Sequence, residues 1–335
     1  MESIRTTMSG CTETGKPRIA ILMAVYEPRM DWLREQLLSL DAQTYPNLML
    51  YIRDDCSPTV PYEEIQSCVQ DCIRSFPYEI RRNEKNLGSN GTFERLTQEA
   101  GGDYFAYCDQ DDVWLPKKLR ILEKTITESG ARLVCSDMYI INENGDQMAD
   151  SITKVRRHHV FLSGEGLAPK LLISNFVTGC TMLVSSKTAK ESIPFCPYMV
   201  HDQYLALCAA EKGRIVSLPG QLIRYRIHES NQTLAMAGVS DKQDYFHIRI
   251  ETLLKRLNWL EARFAHNEAL EKEIAEALLW TTARMDNFRG NAQAKLTIWK
   301  NRRFSPLTSL FEILLAGAPN AIFMLFVSLK RKNIL

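Results

Sequence analysis

Y-F-A-Y-C-D-Q-D-D-V-W, residues 104–114, is the stretch on which the reading of this chain turns. Its first half is an apolar, aromatic run of the kind that fills a buried strand, and its second half sets Asp109, Asp111 and Asp112 close together. Where such a strand leaves its sheet, the side chains of Asp109 and Asp111, two residues apart, can turn into one crevice and share a hard divalent cation, magnesium or manganese. A plainer account is an acidic turn whose Asp112 caps a helix beginning near Pro116. What the other strand ends carry decides between them.

Upstream, Ile19 to Val25 is a continuous apolar run between Pro17 and Pro28, the pattern of a central strand buried on both faces. Asp31 then suits the cap of a helix whose apolar positions Trp32, Leu33, Leu37 and Leu40 recur at helical spacing. Leu48 to Arg53 and Tyr78 to Arg82 read as further strands, with helices over 63–75 and 92–100 between them. Alternating strands and helices imply a mostly parallel, Rossmann-like α/β sheet with right-handed crossovers, which binds ligands beyond the C-terminal strand edges. Downstream the pattern predicts a helix after Trp114 to about Ser129, a strand from 132 to 136 and a strand running from Phe176 to Ser185. A helix over 200–212 and two short strands, 214–218 and 221–227, follow. Beyond Gly238 the chain becomes helical and charged, with Leu253, Leu254, Leu257, Leu260 and Phe264 in one stripe.

This reading divides the chain into a disordered polar tail (1–17), an α/β catalytic domain (18–238), a helical region (239–301) and an amphipathic, apolar tail (302–335). The tail runs F-E-I-L-L-A-G-A-P-N-A-I-F-M-L-F-V-S-L between Arg302-Arg303 and Lys330-Arg331-Lys332. Attachment to a membrane surface, a spanning helix, and packing in a core or homodimer are all open to it, with the Pro319-Asn320 break favouring surface attachment. A net charge of +1 excludes a general nucleic-acid binder. Nine cysteines scattered without C-x-x-C pairs indicate reduced thiols, and the polar N-terminus lacks the apolar core of a signal peptide, so the expected location is the cytoplasmic side of the membrane, peripherally bound.

Three strand exits besides the acidic one carry chemistry: Val25-Tyr26-Glu27-Pro28, Asp54-Asp55-Cys56-Ser57, and Asn86-Leu87-Gly88-Ser89-Asn90. A carboxylate at such an exit can accept the imide N–H of uracil or thymine, and small residues at a helix start let backbone N–H groups approach ligand oxygens. Taken in order, A-V-Y-E-P (24–28), D-D-C-S-P (54–58), R-N-E-K-N-L-G (82–88), D-Q-D-D-V-W (109–114) and H-D-Q (201–203) resemble the inverting nucleotide-sugar glycosyltransferases of GT-A fold. The resemblance spans roughly the first 230 residues and implies a nucleotide-sugar site of Val25, Tyr26, Glu27, Asp54, Asp55, Asn86, Gly88, Asn90, Asp109, Gln110 and Trp114. It further implies that Asp109 and Asp111 hold the metal and that Asp202, which spacing alone leaves equally as a helix cap, is the catalytic base. Thr178, Gly179, Cys180 and His201 would line the acceptor side. Two positions depart from the family habit: Cys56 stands where glycine is common, and His201 where glutamate commonly precedes the base.

R-Y-R-x-H-x-x-N-Q, residues 224–232, and C-D-Q-D-D-V-W are similar to the corresponding stretches of bacterial rhamnosyltransferases. They imply dTDP-L-rhamnose as donor, a lipid-linked saccharide of cell-surface polysaccharide as acceptor, His228 on the metal or a phosphate, and 229–233 as a lid. UDP-galactose, UDP-glucose or UDP-N-acetylglucosamine would fit the same fold. A non-catalytic, membrane-docked nucleotide binder is the alternative of another class, against which the joint presence of Asp109, Asp111 and Asp202 argues.

Overall fold

The structure, a computed structural model, describes residues 4–5, 15–156, 159–228 and 238–331. The lid expected at 229–233 lies outside them. After a two-residue edge strand β1 (Ile4–Arg5), which falls in the stretch expected to be a tail, four apolar runs form β2 (Ile19–Val25), β3 (Leu48–Asp54), β4 (Tyr78–Arg82) and β5 (Tyr104–Cys108). They lie parallel in the order β4-β3-β2-β5, with β1 antiparallel against β4. Ile19 through Met23 are fully buried on both faces of β2. That explains the unbroken apolar run, each Ile or Leu contributing about 2 kcal/mol on leaving water. Helices α1 (Met30–Asp41), α2 (Tyr62–Cys72) and α3 (Gly88–Glu99) make the crossovers.

The second half of the sheet is mixed. It comprises β6 (Val113–Trp114), β7 (Leu133–Ile141), β8 (Gln147–Ala149), β9 (Leu183–Ser185) and β10 (Ile215–Arg226), with helices α4 (Lys118–Ser129), α5 (Ile152–Val155), α6 (Ala168–Ile173), α7 (Ser186–Glu191) and α8 (His201–Lys212). β9 runs antiparallel between β5 and β7, β10 lies parallel to β7, and β6 pairs antiparallel with β10. The architecture is thus a GT-A-type sheet flanked by helices, followed by a helical C-terminal region.

Four local expectations change. The helix expected after Trp114, near Pro116, begins at Lys118, and Val113 and Trp114 before it form β6. The strand expected over 176–185 survives only as β9, since Gly179–Thr181 closes a tight helical turn in which Thr181 N donates to Thr178 O. The strands expected either side of Pro219-Gly220 are one strand, β10, whose pairing with β7 shifts register around Gln221. Such a bulge lets a residue without an N–H sit within a sheet. Asp31 lies inside α1 and pairs with Arg29 at 2.6 Å, so it does not cap the helix.

The chain clusters into two compact units. One comprises Met1–Leu167, Asn175–Phe195 and Val200–His228 and contains the sheet; the other comprises Ala168–Ser174, Cys196–Met199 and Glu229–Leu335. In the second unit, α9 (Lys242–Tyr245) continues through a π-helical turn, Phe246–Glu251, into α10 (Thr252–Arg263), followed by α11 (Glu268–Phe288), α12 (Ala294–Lys300), α13 (Pro306–Leu315) and α14 (Asn320–Arg331). Leu257, Leu260 and Phe264 of the predicted stripe are buried. At the centre Glu312, fully buried, is gripped by Arg284 through two bonds of 2.7 Å and by the Tyr245 hydroxyl at 2.8 Å.

Candidate active site

The exits of β2, β3 and β5 and the start of α8 bring the predicted residues of the first unit to one edge of the sheet. Asp109 and Asp111 leave β5 there, and Asp202 sits in the first turn of α8. The Asp109 carboxyl is pushed up to about 7, first by burial and then by the negative charges of Asp111 and Asp202. Asp202, more than ninety residues further along the chain, is thus brought within reach of Asp109 and its neighbour Asp111.

Asp202 is held from three sides. Asn175 Nδ2 donates to Oδ1 at 3.0 Å, Gly179 N–H to Oδ2 at 3.0 Å and Gln203 N–H to Oδ1 at 2.5 Å. Burial raises its pKa to about 6, opposed by those donors and by the nearby Arg156 guanidinium. Asp202 does not cap the helix, whose N-cap is Val200; it lies in the first turn, accepts the Gln203 N–H and remains a carboxylate of tuned basicity. Gly179 is required at this approach, because a Cβ there would lie 2.7 Å from His201 Nε2. His201 itself is buried against Phe93 and Tyr107, with ring centroids 4.2 and 5.5 Å away, and burial alone pulls its pKa down to about 3. A permanently neutral imidazole packed among rings forms no open acceptor wall.

Asp111 Oδ2 and His228 Nε2 lie 2.8 Å apart, and both side chains keep partial exposure. Below them Asp109, Asp112 and Cys180 place ligand atoms within 4.8 Å of one another. Burial drives the Asp112 carboxyl and the Cys180 thiol well above their ordinary values, which disfavours the charged forms that ligate a cation best. The donors that suit a hard or borderline divalent ion are Asp111 and His228, with Asp109 beside them. An uncompensated negative charge at that edge gives the ion a reason to bind, so the residues fit a cation.

Several predicted ligand residues are instead engaged within the protein. Gln110 clasps the Tyr26 backbone, accepting its N–H at 2.8 Å and donating to its carbonyl at 3.0 Å, which leaves the Tyr26 ring 44% exposed at the crevice. Glu27, at φ +45°, accepts from the backbone and hydroxyl of Thr59. Asp54 is fully buried and takes the Ser57 N–H and hydroxyl on Oδ1 and Arg82 on Oδ2. Asp55 Oδ1 accepts from Asn83 Nδ2 and Leu87 N–H, both at 2.8 Å. Asn86 caps the Gly88 N–H, and Asn90 Oδ1 accepts from His201 N–H. Their side chains shape the rim by holding its loops. Val25 ends β2 in the core, its carbonyl accepting the Asp55 N–H at 2.7 Å.

Trp114 is a correction. It is 1% exposed, inside the core that β6 and β10 close over, so its ring cannot stack on a nucleotide. Lys118 Nζ lies 2.9 Å from its ring centre and donates to the Cys180 carbonyl. Cys180, expected on the acceptor side, faces inward with it, while Thr178 keeps its place at the turn. Arg226, in the stretch that resembles the rhamnosyltransferases, is buried and braces the acidic loop: Nε donates to Asp111 O, the backbone N–H to Asp112 Oδ1, and Nη2 pairs with Glu35 at 2.5 Å.

Sequence reasoning overlooked Asn175, Arg156 and Lys118. Asn175 lies 27 residues from the carboxylate it orients, and Lys118 looked like an ordinary residue of a helix start. Only the basic run at 156–159 gave any signal, and Arg157 and His158 lie outside the described residues.

The pattern of the family described as "Glycosyl transferase family 2" matches residues 20–190. An uncharacterized glycosyltransferase of Methanocaldococcus jannaschii is 30% identical over 246 residues, 71% of this chain and 80% of its own. The dTDP-rhamnosyl transferase RfbG of Shigella flexneri is 24% identical over 84% of this chain and 94% of its own. Among solved structures, S. aureus TarS 1–349 in complex with UDP-GlcNAc superposes with a TM-score of 0.56 at 16% identity, covering 89% of this chain and 81% of that one.

Proposed function

This chain belongs to glycosyl transferase family 2, and on that premise we propose that it transfers a sugar from a nucleotide-sugar donor to a hydroxyl of a lipid-linked saccharide, with inversion at the anomeric carbon. The observation that carries the proposal is the carboxylate of Asp202, with its pKa of about 6, held at a helix start close enough to Asp109 to raise the latter's pKa. Asp202 takes the proton from the acceptor hydroxyl as its oxygen bonds the anomeric carbon and the bond to the diphosphate breaks. Asn175, Gly179 and Gln203 aim that carboxylate and leave it mostly ionised near neutrality. Asp111 and His228, with Asp109, would hold a divalent cation, magnesium or manganese. When bound, such an ion neutralises charge building on the departing diphosphate. Tyr26 offers an exposed ring at the donor rim, and Arg226 keeps the acidic loop in place from beneath.

The favoured donor is dTDP-L-rhamnose, supported by the stretch at 224–232 and by similarity to RfbG over most of both chains. A UDP-hexose or UDP-N-acetylhexosamine is the second reading, favoured by similarity to the Escherichia coli UDP-Glc:alpha-D-GlcNAc-diphosphoundecaprenol beta-1,3-glucosyltransferase WfgD, 23% identical over 64% of this chain. Calorimetry of the full chain against dTDP, UDP and GDP, each with and without manganese, separates them. Tight, metal-dependent binding of dTDP supports the first; preference for UDP moves the donor to a hexose. Asp202→Asn should keep donor binding and lose transfer by roughly 10²–10⁴-fold, and wild-type turnover should fall with pH below about 6. Undiminished transfer by Asp202→Asn would assign the base elsewhere.

A further inference from the structure

Helix α13 is built inside out. Its inward face carries Ser309 and Glu312, both fully buried, the first bonded to Trp280 Nε1 and the second to Arg284. Its outward face carries Leu307, Leu310 and Leu314, which are 62%, 46% and 67% exposed. In α14 the inward positions Phe323 and Val327 are apolar in the ordinary way, but the outward positions are apolar too: Ile322, Leu325 and Phe326 are 48%, 60% and 37% exposed. Glu312 is the one charged residue between Phe304 and Leu329, and it is buried. A helix facing water puts its charges outside and its leucines inside. Here the outer faces of two successive helices present six large apolar side chains, with no charged residue in the sequence between Glu312 and Lys330, the mark of an interaction surface.

The flanks say what covers it. Residues 289–335 contain eight Lys or Arg and a single carboxylate, the buried Glu312. Ahead of α13, Trp299 is 47% exposed with the Arg302 guanidinium 4.3 Å over its ring, an aromatic–cation pair of the type that sits at the level of lipid headgroups. Among the described residues no helix is long and apolar enough to cross a membrane. At about 1.5 Å per residue, α13 and α14 are each roughly half the thickness of a hydrocarbon core.

We propose that the outer faces of α13 and α14 lie on a bilayer containing anionic phospholipid. Leu307, Leu310, Leu314, Ile322, Leu325 and Phe326 would enter the acyl boundary while the flanking Lys and Arg other than Arg303, which pairs with Glu273 and Glu276, meet headgroup phosphates. The inference goes beyond donor and mechanism, and it is read without nucleotide. Full-length protein is floated with vesicles of phosphatidylcholine, with and without phosphatidylglycerol, at low and high salt. The expected result is cofloatation that depends on the anionic lipid and weakens in salt. In the variant carrying Leu310→Glu and Leu314→Glu, binding should drop at least about tenfold with the melting temperature and nucleotide affinity kept, since both positions face solvent. Failure of the full-length chain to bind anionic vesicles, or undiminished binding by that variant, overturns the proposal. So does a dimer in vesicle-free buffer that the same variant converts to monomer, which would assign the face to a second copy of the chain.

Discussion

Cys56 is the clearest single-residue departure from ease. It adopts φ +61°, the left-handed region, at a turn where the family that the sequence resembles often has glycine. A side chain there costs about 1–2 kcal/mol, partly offset by the chain entropy a glycine would lose. Cys56→Gly should therefore stabilise the protein by about 0.5–1 kcal/mol in urea unfolding; a decrease would mean that the thiol holds the loop. His201 makes a second prediction. Its folded pKa of about 3 lies below the unfolded 6.5, so its contribution to stability is intact above pH 6.5 and is lost as the pH falls toward 3. The loss is about 1.4 kcal/mol per pH unit in that window. His201→Asn removes this titration, so the fall in unfolding free energy between pH 7 and 4.5 should shrink by about 3 kcal/mol. An unchanged fall would show that the folded chain admits the proton. The positive φ at Cys56 was legible as an odd residue in a motif, whereas the neutrality of His201 was not, because nothing in H-D-Q announces Phe93 and Tyr107 around the ring.

At the scale of elements, the ion pair inside the second unit shows how packing overrides local pattern. In the sequence Glu312 interrupts an apolar run; in the fold it is the anchor that Arg284 and Tyr245 hold. Glu312→Gln leaves the Arg284 charge buried without its counter-ion and should cost about 3–5 kcal/mol, read by urea unfolding of the full chain. Pairing Arg284→Met with Glu312→Leu should recover much of that loss, because the double change removes both charges; a loss as large as in the single variant would show that the Tyr245 bond to the carboxylate carries the stability. Strands with continuous apolar runs were readable along the chain, since burial on two faces demands such runs. β6 was not, and the strand read over 176–185 shrank to β9, because two or three residues become a strand only where β10, β5 and β7 offer them partners.

For the whole molecule, a ligand that binds only the folded state stabilises it by mass action, by about 2.7 kcal/mol at a hundredfold excess over its Kd. Thermal melting with dTDP or UDP plus manganese should therefore raise the transition of the sheet-bearing unit. Asp111→Asn should lose the manganese-dependent part of that rise; a full rise in the variant would remove Asp111 from the cation site. By itself the sequence determined the alternation of strands and helices, the edge of the sheet at which chemistry gathers, and the identity of the acidic cluster, because buried runs and strand-exit polar residues are local patterns. Only the tertiary structure decided the assignments within that edge. It turned Trp114 and Cys180 inward, spent Asp54, Asn86 and Asn90 on the protein's own N–H groups, and used Arg226 as a brace. It also set Asn175 on Asp202, since a side chain's role follows from which donors and charges the fold brings within a few ångströms of it, and those lie far away along the chain.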